Sequence, residues 1–318
     1  MSVEMPLEFV FVSENMKSIM KIIGQISPYD ATVLLTGETG TGKELLARIT
    51  HQKSSRRDKP FVAVNCGVLS GQLFEDKLFG HEAGSFTGAI KMVKGLLEIA
   101  NKGTLFLDEV SEITLQSQVD LLRVLEDGEF RRIGGKETIK VDARIIAATN
   151  KNLATLVEKK QFRIDLYYRL HVIPVHIPPL RERKADIPKL LEYFIDLFSA
   201  RYKKPKINFS QKALSILLSH DWPGNVRELR NLVERIFLTT NNELVTPEDF
   251  PLDFKKFVSE PLIPSLEDIR KKAEKEAIIN ALIQVRGDRE KAAKLLKISP
   301  RTLRHKIREY NIAKMTFK

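Results

Sequence analysis

The most informative stretch of the sequence is Gly37-Glu38-Thr39-Gly40-Thr41-Gly42-Lys43-Glu44. The apolar run Val33-Leu34-Leu35 precedes it, and Leu45-Leu46-Ala47-Arg48 follows it. This order predicts a strand, a loop and a helix. The glycines would let the loop fold back, so that its backbone N–H groups and the positive end of the helix converge on a polyphosphate. Because Lys43 adds a point charge at the outer phosphates, we interpret the stretch as a nucleotide-binding P-loop.

Position 44 departs from the usual form of this loop. Ser or Thr normally follows the lysine, and its hydroxyl touches Mg²⁺, whereas this chain has Glu44. The metal that accompanies the nucleotide must therefore depend more on other carboxylates and on water. The alternative is a glycine-rich turn with a lysine by coincidence, and the predicted strand and helix on either side argue against it.

A second stretch delivers two adjacent carboxylates to the end of an apolar strand, Gly103-Thr104-Leu105-Phe106-Leu107-Asp108-Glu109. We expect Asp108 to hold Mg²⁺ beside the P-loop and Glu109 to polarise the attacking water as the general base. A strand that ends in Asp-Glu is common by chance, and the upstream P-loop is what favours the functional interpretation. Asn150 follows the buried run Arg144–Thr149 and could sense a γ-phosphate, although Thr-Asn is also ordinary turn chemistry.

Strands and helices alternate through the first half of the chain. Phe61–Val64 is predicted as a buried strand that ends at Asn65, and a helix at Gln116–Glu126 separates the strands Thr104–Asp108 and Arg144–Thr149. This alternation predicts an α/β fold, a parallel sheet with helices on both faces, over residues 1–177.

Composition narrows the class of protein. The chain has 318 residues, of which 43% are hydrophobic and 29% charged, enough for a globular protein of two or three domains. Cys66 is the only cysteine, so no intrachain disulfide can form, which fits a reducing compartment. Because there is neither a signal peptide nor an apolar run that approaches a membrane span, we expect a cytoplasmic protein with no membrane partner. The histidines show no ligand spacing, so no dedicated metal site is expected beyond Mg²⁺ with the nucleotide.

Residues 178–250 show helical patterns with polar breaks and are predicted to form a small all-helical domain. Its sharpest feature is Trp222-Pro223-Gly224-Asn225-Val226-Arg227-Glu228-Leu229. Pro-Gly makes a turn, Asn225 is expected to cap the next helix and Glu228 to return the bond, which fixes Arg227 in the first turn. A cation held in this way could reach a nucleotide, and the alternative is a surface arginine beside a capping box.

The C-terminal residues 264–318 follow a proline-rich linker at 251–263 and carry 15 Lys or Arg and 7 Asp or Glu, a net charge of +8 in a chain of +11. Residues 288–296 and 301–310 predict helix, turn, helix, with Ser299 as N-cap and Pro300 at the first helical position. Ala292, Ala293 and Leu296 would then pack against Leu303 and Ile307. The residues left facing outward, as on a helix that reads the DNA major groove, are Arg301, Thr302, Arg304, His305 and Arg308. The alternative is a basic helix pair that is merely solvated.

Together these residues resemble the AAA+ activators of sigma-54 RNA polymerase, the NtrC-like bacterial enhancer-binding proteins, over nearly the whole chain. The most specific match is Gly84-Ser85-Phe86-Thr87-Gly88-Ala89, which is similar to the loop with which this family touches sigma-54. Spacing alone favours a glycine turn with a buried Phe86, whereas the resemblance implies a mobile tip that exposes it. The family has Ala where this chain has Ser85, and we expect sigma-54 engagement to survive that change.

The resemblance implies further roles. Asn65 would be the switch residue that hydrogen-bonds Glu109, and Glu44 matches what this family usually has after the lysine. Arg163 and Arg169 resemble arginine fingers offered to a neighbouring subunit's ATP, and Arg227 resembles the lid sensor. The family form is an AAA+ P-loop NTPase core, a helical lid and a Fis-type helix-turn-helix, with ATP and Mg²⁺ as cofactors. The partners implied are sigma-54 holoenzyme, double-stranded enhancer DNA and copies of the chain, in a hexameric ring when active and in dimers when inactive.

Some expectations stay open at the level of the sequence. Relatives with a phospho-regulated N-terminal domain are far longer, so we expect either a naturally short, phage-shock-type activator or a chain that starts at the ATPase domain of a longer protein. The adenine pocket is not assigned, because Phe9-Val10-Phe11-Val12 departs from the family's Gly before the first helix. Two other functions remain: an AAA+ DNA remodeller such as a replication initiator, which would not need the Phe86 loop, and a DNA-binding regulator without sigma-54 activation. The intact Lys43, Asp108 and Glu109 argue against the second.

Overall fold

The computed structural model describes residues 9–68, 71–240, 242–252, 254, 266–285 and 287–310. The chain divides into two compact units, Met1–Asp249 and Phe250–Lys318. Each unit has its own hydrophobic core.

The first unit contains one five-stranded sheet. Its elements up to the middle of that sheet are α1 (Glu14–Ile26), β1 (Val33–Thr36), α2 (Lys43–Gln52), β2 (Phe61–Asn65), α3 (Gln72–Phe79), β3 (Gly80–His81), β4 (Val93–Lys94), α4 (Leu96–Ile99) and β5 (Thr104–Asp108). They continue with α5 (Leu115–Asp127), β6 (Glu129–Phe130), β7 (Ile139–Lys140), β8 (Arg144–Thr149), α6 (Leu153–Glu158), α7 (Ile164–Leu170) and β9 (Ile173–His176). The sheet order is β2-β5-β8-β1-β9, and every pair is parallel. The α/β prediction is confirmed.

Side chains alternate between the two faces of the sheet along each strand, and each face packs against helices. Leu105 and Leu107 of β5 belong to the core that contains Leu121 of α5 and Leu166 of α7. Phe106, between them, belongs to the core on the other face, which α1 and α2 build. All residues of β8 are buried, as expected for a central parallel strand.

The prediction that Phe61–Val64 is a buried strand is wrong in one respect. β2 lies at the edge of the sheet, and of the four residues only Val64 is buried. An edge strand has a neighbour on one side only, and Phe61 is instead covered in part by the Arg48 guanidinium, 4.8 Å from its ring centroid.

Two hairpins project from the first unit. β3 and β4 pair antiparallel and enclose residues 82–92, and β6 and β7 pair antiparallel and enclose residues 131–138. A bridge from His81 to Ile133 joins them. We refer to them as the first hairpin and the second hairpin.

The lid part of the first unit contains α8 (Ile187–Tyr202), α9 (Gln211–Ser219) and α10 (Asn225–Thr239). Phe198, Trp222 and Phe237 are almost fully buried there. The part is helical as predicted, with one addition: β10 (Asn208–Phe209) and β11 (Leu244–Val245) form a short parallel pair.

The second unit contains α11 (Leu266–Gln284), α12 (Arg289–Leu295) and α13 (Pro300–Glu309). Ala292 and Ala293 pack with Leu303 and Ile307, and Leu296 borders that core, so this part of the helix-turn-helix prediction is confirmed. Ser299 caps α13, because its Oγ accepts a hydrogen bond from the Thr302 N–H at 3.0 Å. Much of the predicted linker, residues 255–263, lies outside the described residues. Within the described part of the chain, no helix combines the length and apolarity needed to cross a bilayer.

Candidate nucleotide site and its hairpins

The P-loop connects β1 to α2, as predicted. Gly40 and Gly42 have φ values of 81° and 104°, a region that residues with a Cβ rarely adopt. The Lys43 side chain folds into the loop, where its ammonium donates to the carbonyl oxygens of Gly37 and Glu38 at 2.8 and 3.0 Å. These bonds hold the positive charge at the N-terminus of α2, where an anion is favoured.

Asp108 ends β5 beside this loop. Burial raises the pKa of Asp108, and Lys43 and the Glu109 N–H act in the opposite direction. Burial also lowers the pKa of Lys43, which the nearby Arg227 reinforces and Asp108 opposes. A desolvated cation and a desolvated carboxylate thus face the same space, and each has more to gain from a phosphate or a metal ion than a solvated group would.

Glu109 has a strained backbone. Its φ of 55° lies in the left-handed region, which costs about 1–3 kcal/mol for a residue other than glycine. The strain directs its carboxylate over Gly67, where an added Cβ would lie 2.3 Å from Oε2. Gly67 therefore leaves the room that Glu109 occupies.

Asn65 does not bind Glu109 in this structure. Its Oδ1 accepts hydrogen bonds from the backbone N–H groups of Gly67 and Val68 at 2.8 and 3.1 Å. Among the described residues, no hydrogen bond joins Asn65 and Glu109, so that expectation is wrong for this conformation. Asn65 instead fixes the turn on which the Glu109 carboxylate rests.

Asn150 lies next to the P-loop, as expected for a phosphate sensor. Its Nδ2 donates to Thr39 Oγ1 at 3.2 Å. The adjacent cavity has a volume of about 360 Å³ and is bordered by Gly37, Glu38 and Asn150. Glu44, by contrast, pairs with Arg48 at 2.8 Å on the exposed side of α2, so its side chain is not among those that converge on the loop.

The lid holds the P-loop through Asn225. This residue was expected to cap α10, but its side chain accepts from Leu180 N–H at 2.8 Å and donates to Glu38 Oε2 and the Thr39 carbonyl, both at 3.1 Å. The cap prediction is wrong, because these tertiary bonds use both ends of the amide. The bond expected from Glu228 back to the start of the helix is present, because the Gly224 N–H donates to Glu228 Oε2 at 2.8 Å.

Arg227 stands over the P-loop. The backbone at the start of α10 contacts the P-loop backbone, because the Val226 N–H donates to the Gly40 carbonyl at 3.1 Å. A Cβ at Gly40 would lie 2.3 Å from the Gly224 carbonyl and 3.1 Å from Arg227 Cβ. A glycine at position 40 is therefore required both by the loop conformation and by the close packing of the lid on the loop. This packing places Arg227 where a nucleotide sensor would be needed.

Sequence reasoning missed a set of supporting residues in the connector at 179–186. Arg181 makes two hydrogen bonds to the Glu38 carboxylate, at 2.6 and 2.9 Å. Arg183 is buried and donates to the Thr41 carbonyl at 2.9 Å. Asp186 accepts from the backbone N–H groups of Val12 and Ser13. The only signal in the sequence was two arginines in a proline-rich connector, which does not distinguish support of the P-loop from a solvated charge.

Arg163 and Arg169 bond to residues other than those of the P-loop. Arg163 pairs with Asp165 at 2.7 Å and its side chain is 41% exposed. Arg169 donates through Nε to the Leu125 carbonyl at 2.8 Å. Arg163 precedes α7 and Arg169 lies in its last turn, both exposed, and among the described residues no hydrogen bond or ion pair joins either of them to Lys43 or Asp108.

The first hairpin holds Phe86 against its own chain. Phe86 is half-buried, and its ring packs edge-on against His81, with the centroids 5.0 Å apart. The expectation of an exposed aromatic tip is therefore wrong for this conformation. The exposed residues of the loop are Gly84, Thr87 and Gly88, while Ala89 is buried.

Ser85 packs against the second hairpin. A Cβ added at Gly134 would lie 2.5 Å from Ser85 Cβ, and Ser85 Oγ is buried without a hydrogen-bond partner. Arg132 of the second hairpin pairs with Glu82 of the first hairpin and with Glu98 of α4, both at 2.7 Å. The family's Ala would fill the same space without a buried hydroxyl.

The predicted DNA-reading residues lie on one side of α13. Arg301, Thr302, Arg304 and His305 are exposed, while Leu303 and Ile307 face the core. Arg308 belongs to the same helix, and its side chain lies outside the described set. The basic outer face that the sequence predicted is therefore present for the described residues.

Three family models match successive parts of the chain. Residues 9–176 match the sigma-54 interaction domain, residues 181–261 match the AAA+ ATPase lid domain, and residues 269–310 match the Fis family of bacterial regulatory proteins. The chain is 44% identical to the Nif-specific regulatory protein of Azotobacter vinelandii over 94% of its own length and 58% of that protein's. It is 44% identical to the regulatory protein AtoC of Escherichia coli over 94% of its own length and 67% of AtoC's.

A solved structure agrees along almost the whole chain. The crystal structure of NtrX from Brucella abortus in complex with ADP superimposes with a TM-score of 0.73 at 34% identity, over 96% of this chain and 69% of NtrX. NtrX has also been solved in complex with ATP. The chain thus spans between about a half and two thirds of the length of the curated relatives.

Proposed function

The chain belongs to the sigma-54 activator family, in which a sigma-54 interaction domain is joined to an AAA+ lid and a Fis-type helix-turn-helix, and we propose that it hydrolyses ATP to open promoters bound by sigma-54 RNA polymerase. The observation that carries this proposal is the meeting of buried Lys43, half-buried Asp108 and strained Glu109 at one edge of the sheet. The family match favours this function over a replication initiator.

ATP would bind with its phosphates in the P-loop. The N–H groups of residues 38–43 and the Lys43 ammonium would hold the phosphates, and Glu109 would accept a proton from the attacking water. Mg²⁺ fits this site, because it commonly binds through one or two carboxylates with phosphate and water, and Asp108 is a half-buried carboxylate that interacts with Lys43. The metal would neutralise phosphate charge there.

Hydrolysis would require a second copy of the chain. Arg163 bonds to Asp165 and Arg169 to the Leu125 carbonyl, not to their own P-loop, so they would complete the site of a neighbour. Ile164 and Tyr168 of α7 support this arrangement, because they are 57% and 68% exposed at positions i and i+4, and Val172, just past the end of the helix, is 53% exposed. Residues at this spacing share one helix face, and an exposed apolar stripe of this kind marks a protein contact. A closed ring, hexameric as in the family, would use this stripe in every subunit.

The nucleotide site would move the first hairpin through α3. This helix lies between the turn that carries Gly67 and the start of the hairpin at Gly80. Glu75 of α3 accepts a hydrogen bond from Ser117 Oγ of α5 at 2.8 Å. A change at Glu109 that shifts the Gly67 turn would therefore shift α3, release Phe86 from His81 and present it to sigma-54.

The second unit would hold the ring at enhancer DNA. Arg301, Arg304 and His305 on the outer face of α13 can reach base edges and phosphates in the major groove. Tethering near the promoter would raise the effective concentration of the ring there. We place this activity in the cytoplasm, where promoter DNA and ATP are available.

The substitution Thr87→Ala tests the proposal. Thr87 is exposed on the first hairpin and is remote from the P-loop chemistry, so ATP turnover should persist while sigma-54 capture in an ADP–aluminium fluoride complex is lost. Unchanged capture and unchanged promoter opening by Thr87→Ala would overturn the assignment of the loop.

A further inference from the structure

The outer arm of the first hairpin exposes apolar side chains. Ile90 is 92% exposed, and Met92 and Val93 are 43% and 40% exposed. A single exposed hydrophobic residue is ordinary, but these three lie within four consecutive positions. We call residues 90–93 the outer strip.

The tip before the outer strip is held against the protein. Gly84 N–H donates to the Ala89 carbonyl at 2.7 Å, and Ala89 N–H donates to the Phe86 carbonyl at 3.0 Å. Phe86 packs on His81, and Ala89 is buried. In this conformation Ile90 therefore presents its side chain to a partner while Phe86 does not.

The outer strip is also positively charged. Lys91 and Lys94 are exposed, and the sequence from Ala83 to Leu97 contains no acidic residue. A partner that covers the strip should therefore offer an apolar patch with acidic groups at its rim, since complementary charge guides such contacts.

We propose that Ile90, with Met92 and Val93 beside it, is a second contact for sigma-54, separate from Phe86. This inference rests on the proposed function. The outer strip is continuous in the chain with the Phe86 loop, so a protein that grips the loop meets the strip as well. Ile90 engages sigma-54 first, and the release of Phe86 then adds the second anchor.

The test compares Ile90→Ser with Ile90→Leu and with Ile22→Ser, a matched control on α1 whose side chain is 42% exposed. The probe is purified, labelled sigma-54, titrated with each full-length variant in ADP–aluminium fluoride. Burial of an isoleucine is large enough that Ile90→Ser should weaken binding by about tenfold or more. Ile90→Leu and Ile22→Ser should bind within about twofold of the parent, and ATP turnover should be unchanged in all three.

Phe86→Ala in the same assay distinguishes a failure of the outer-strip inference from a failure of the proposed function. If Phe86→Ala loses sigma-54 while Ile90→Ser binds as the parent does, the outer strip is not a contact and the proposed function stands. If neither variant changes binding, the proposed function itself fails. If Ile90→Ser also abolishes ATP turnover, Ile90 serves the structure of the ring and the inference is overturned.

Discussion

The P-loop and the first hairpin differ in how their residues are held. At the P-loop, Lys43 and Thr41 bond to carbonyl oxygens of the loop itself. Arg181, Arg183 and Asn225 brace the loop from the connector and the lid. In the first hairpin, Phe86 rests on one ring contact and Ser85 packs with an unpaired hydroxyl. A braced site suits chemistry that needs fixed geometry, and a hairpin tip whose side chains are held by packing, without hydrogen bonds, suits a part that must move.

The largest expected effect comes from a change that should abolish ATP hydrolysis without affecting ATP binding. Glu109→Gln keeps the shape of the site but removes the general base, so ATP turnover should fall by about 10²–10⁴. ATP binding should persist, because Lys43 and the loop are intact. A phosphate-release assay, with nucleotide affinity measured in parallel, checks this.

The matched control is Glu112→Gln, whose carboxylate pairs with Lys151 at 2.7 Å close to Glu109. It should retain turnover within about twofold, as is usual away from the reacting groups. Equal losses in both variants would mean that the acidic cluster matters only for its charge.

A second test asks whether the site is complete in one subunit. Tyr168→Ser removes the most exposed member of the α7 stripe, so self-association should weaken by about tenfold or more. ATP turnover should drop at low protein concentration and recover at high concentration. Sedimentation velocity and turnover over a concentration series measure both.

Tyr29→Ser is the control for this change, because Tyr29 has the same exposure of 68% and is not on α7. It should leave assembly unchanged. Assembly that is insensitive to Tyr168→Ser would place the subunit contact elsewhere.

A third change acts on the hairpin alone. Gly134→Ala would put a Cβ 2.5 Å from Ser85 Cβ at a φ of 74°, so the tip should be displaced at a cost of about 1–3 kcal/mol. Amide exchange of residues 82–90 should accelerate while ATP turnover stays within about twofold. Gly135→Ala is the control, because its closest contact is longer, 3.2 Å to the Arg132 carbonyl. Equal exchange rates in both variants would show that Ser85 does not hold the tip.

A smaller effect is expected at Ser85 itself. Ser85→Ala removes a buried hydroxyl that has no partner, so it should stabilise the closed hairpin by about 1 kcal/mol. Slower amide exchange at residues 82–90 would measure this. Faster exchange would mean that the hydroxyl contributes a favourable contact.

The smallest expected effect is a change in the pH dependence of stability, caused by the burial of Asp108 beside the P-loop. Burial raises the pKa of Asp108 above its ordinary 3.8, so the folded chain binds more protons than the unfolded chain just above that pH. The stability of the parent should therefore fall, relative to Asp108→Asn, as the pH rises through this window. Thermal melts of both proteins without nucleotide at pH 3.5 and pH 7 test the sign, and a parent whose stability relative to Asp108→Asn is greater at pH 7 than at pH 3.5 would contradict it.

The sequence was most informative where backbone chemistry restricts the choice of residue. The P-loop glycines, the apolar run of β5 before Asp108 and the Ser299 cap all follow from local rules, and each lies where it was predicted. The edge position of β2 could not be predicted, because strand order is set by long-range pairing.

Side-chain contacts between residues far apart in the sequence could not be predicted either. Asn225 has a capping pattern with Glu228, but its amide bonds to Glu38 and Thr39, about 190 positions away in a different part of the fold. Phe86 between glycines fits both a buried turn and an exposed tip, and only its packing on His81 decides between them here. Arg181 and Arg183 had no periodic signal, because they lie in a connector.

The most direct measurement is promoter opening. Purified sigma-54 polymerase on a promoter with an upstream site, mixed with the full chain, should form open complexes detected by permanganate footprinting with ATP, and none with ADP or with the Glu109→Gln variant. Equal opening with ADP, or no opening while the same sample turns over ATP, would contradict the coupling of hydrolysis to sigma-54 remodelling.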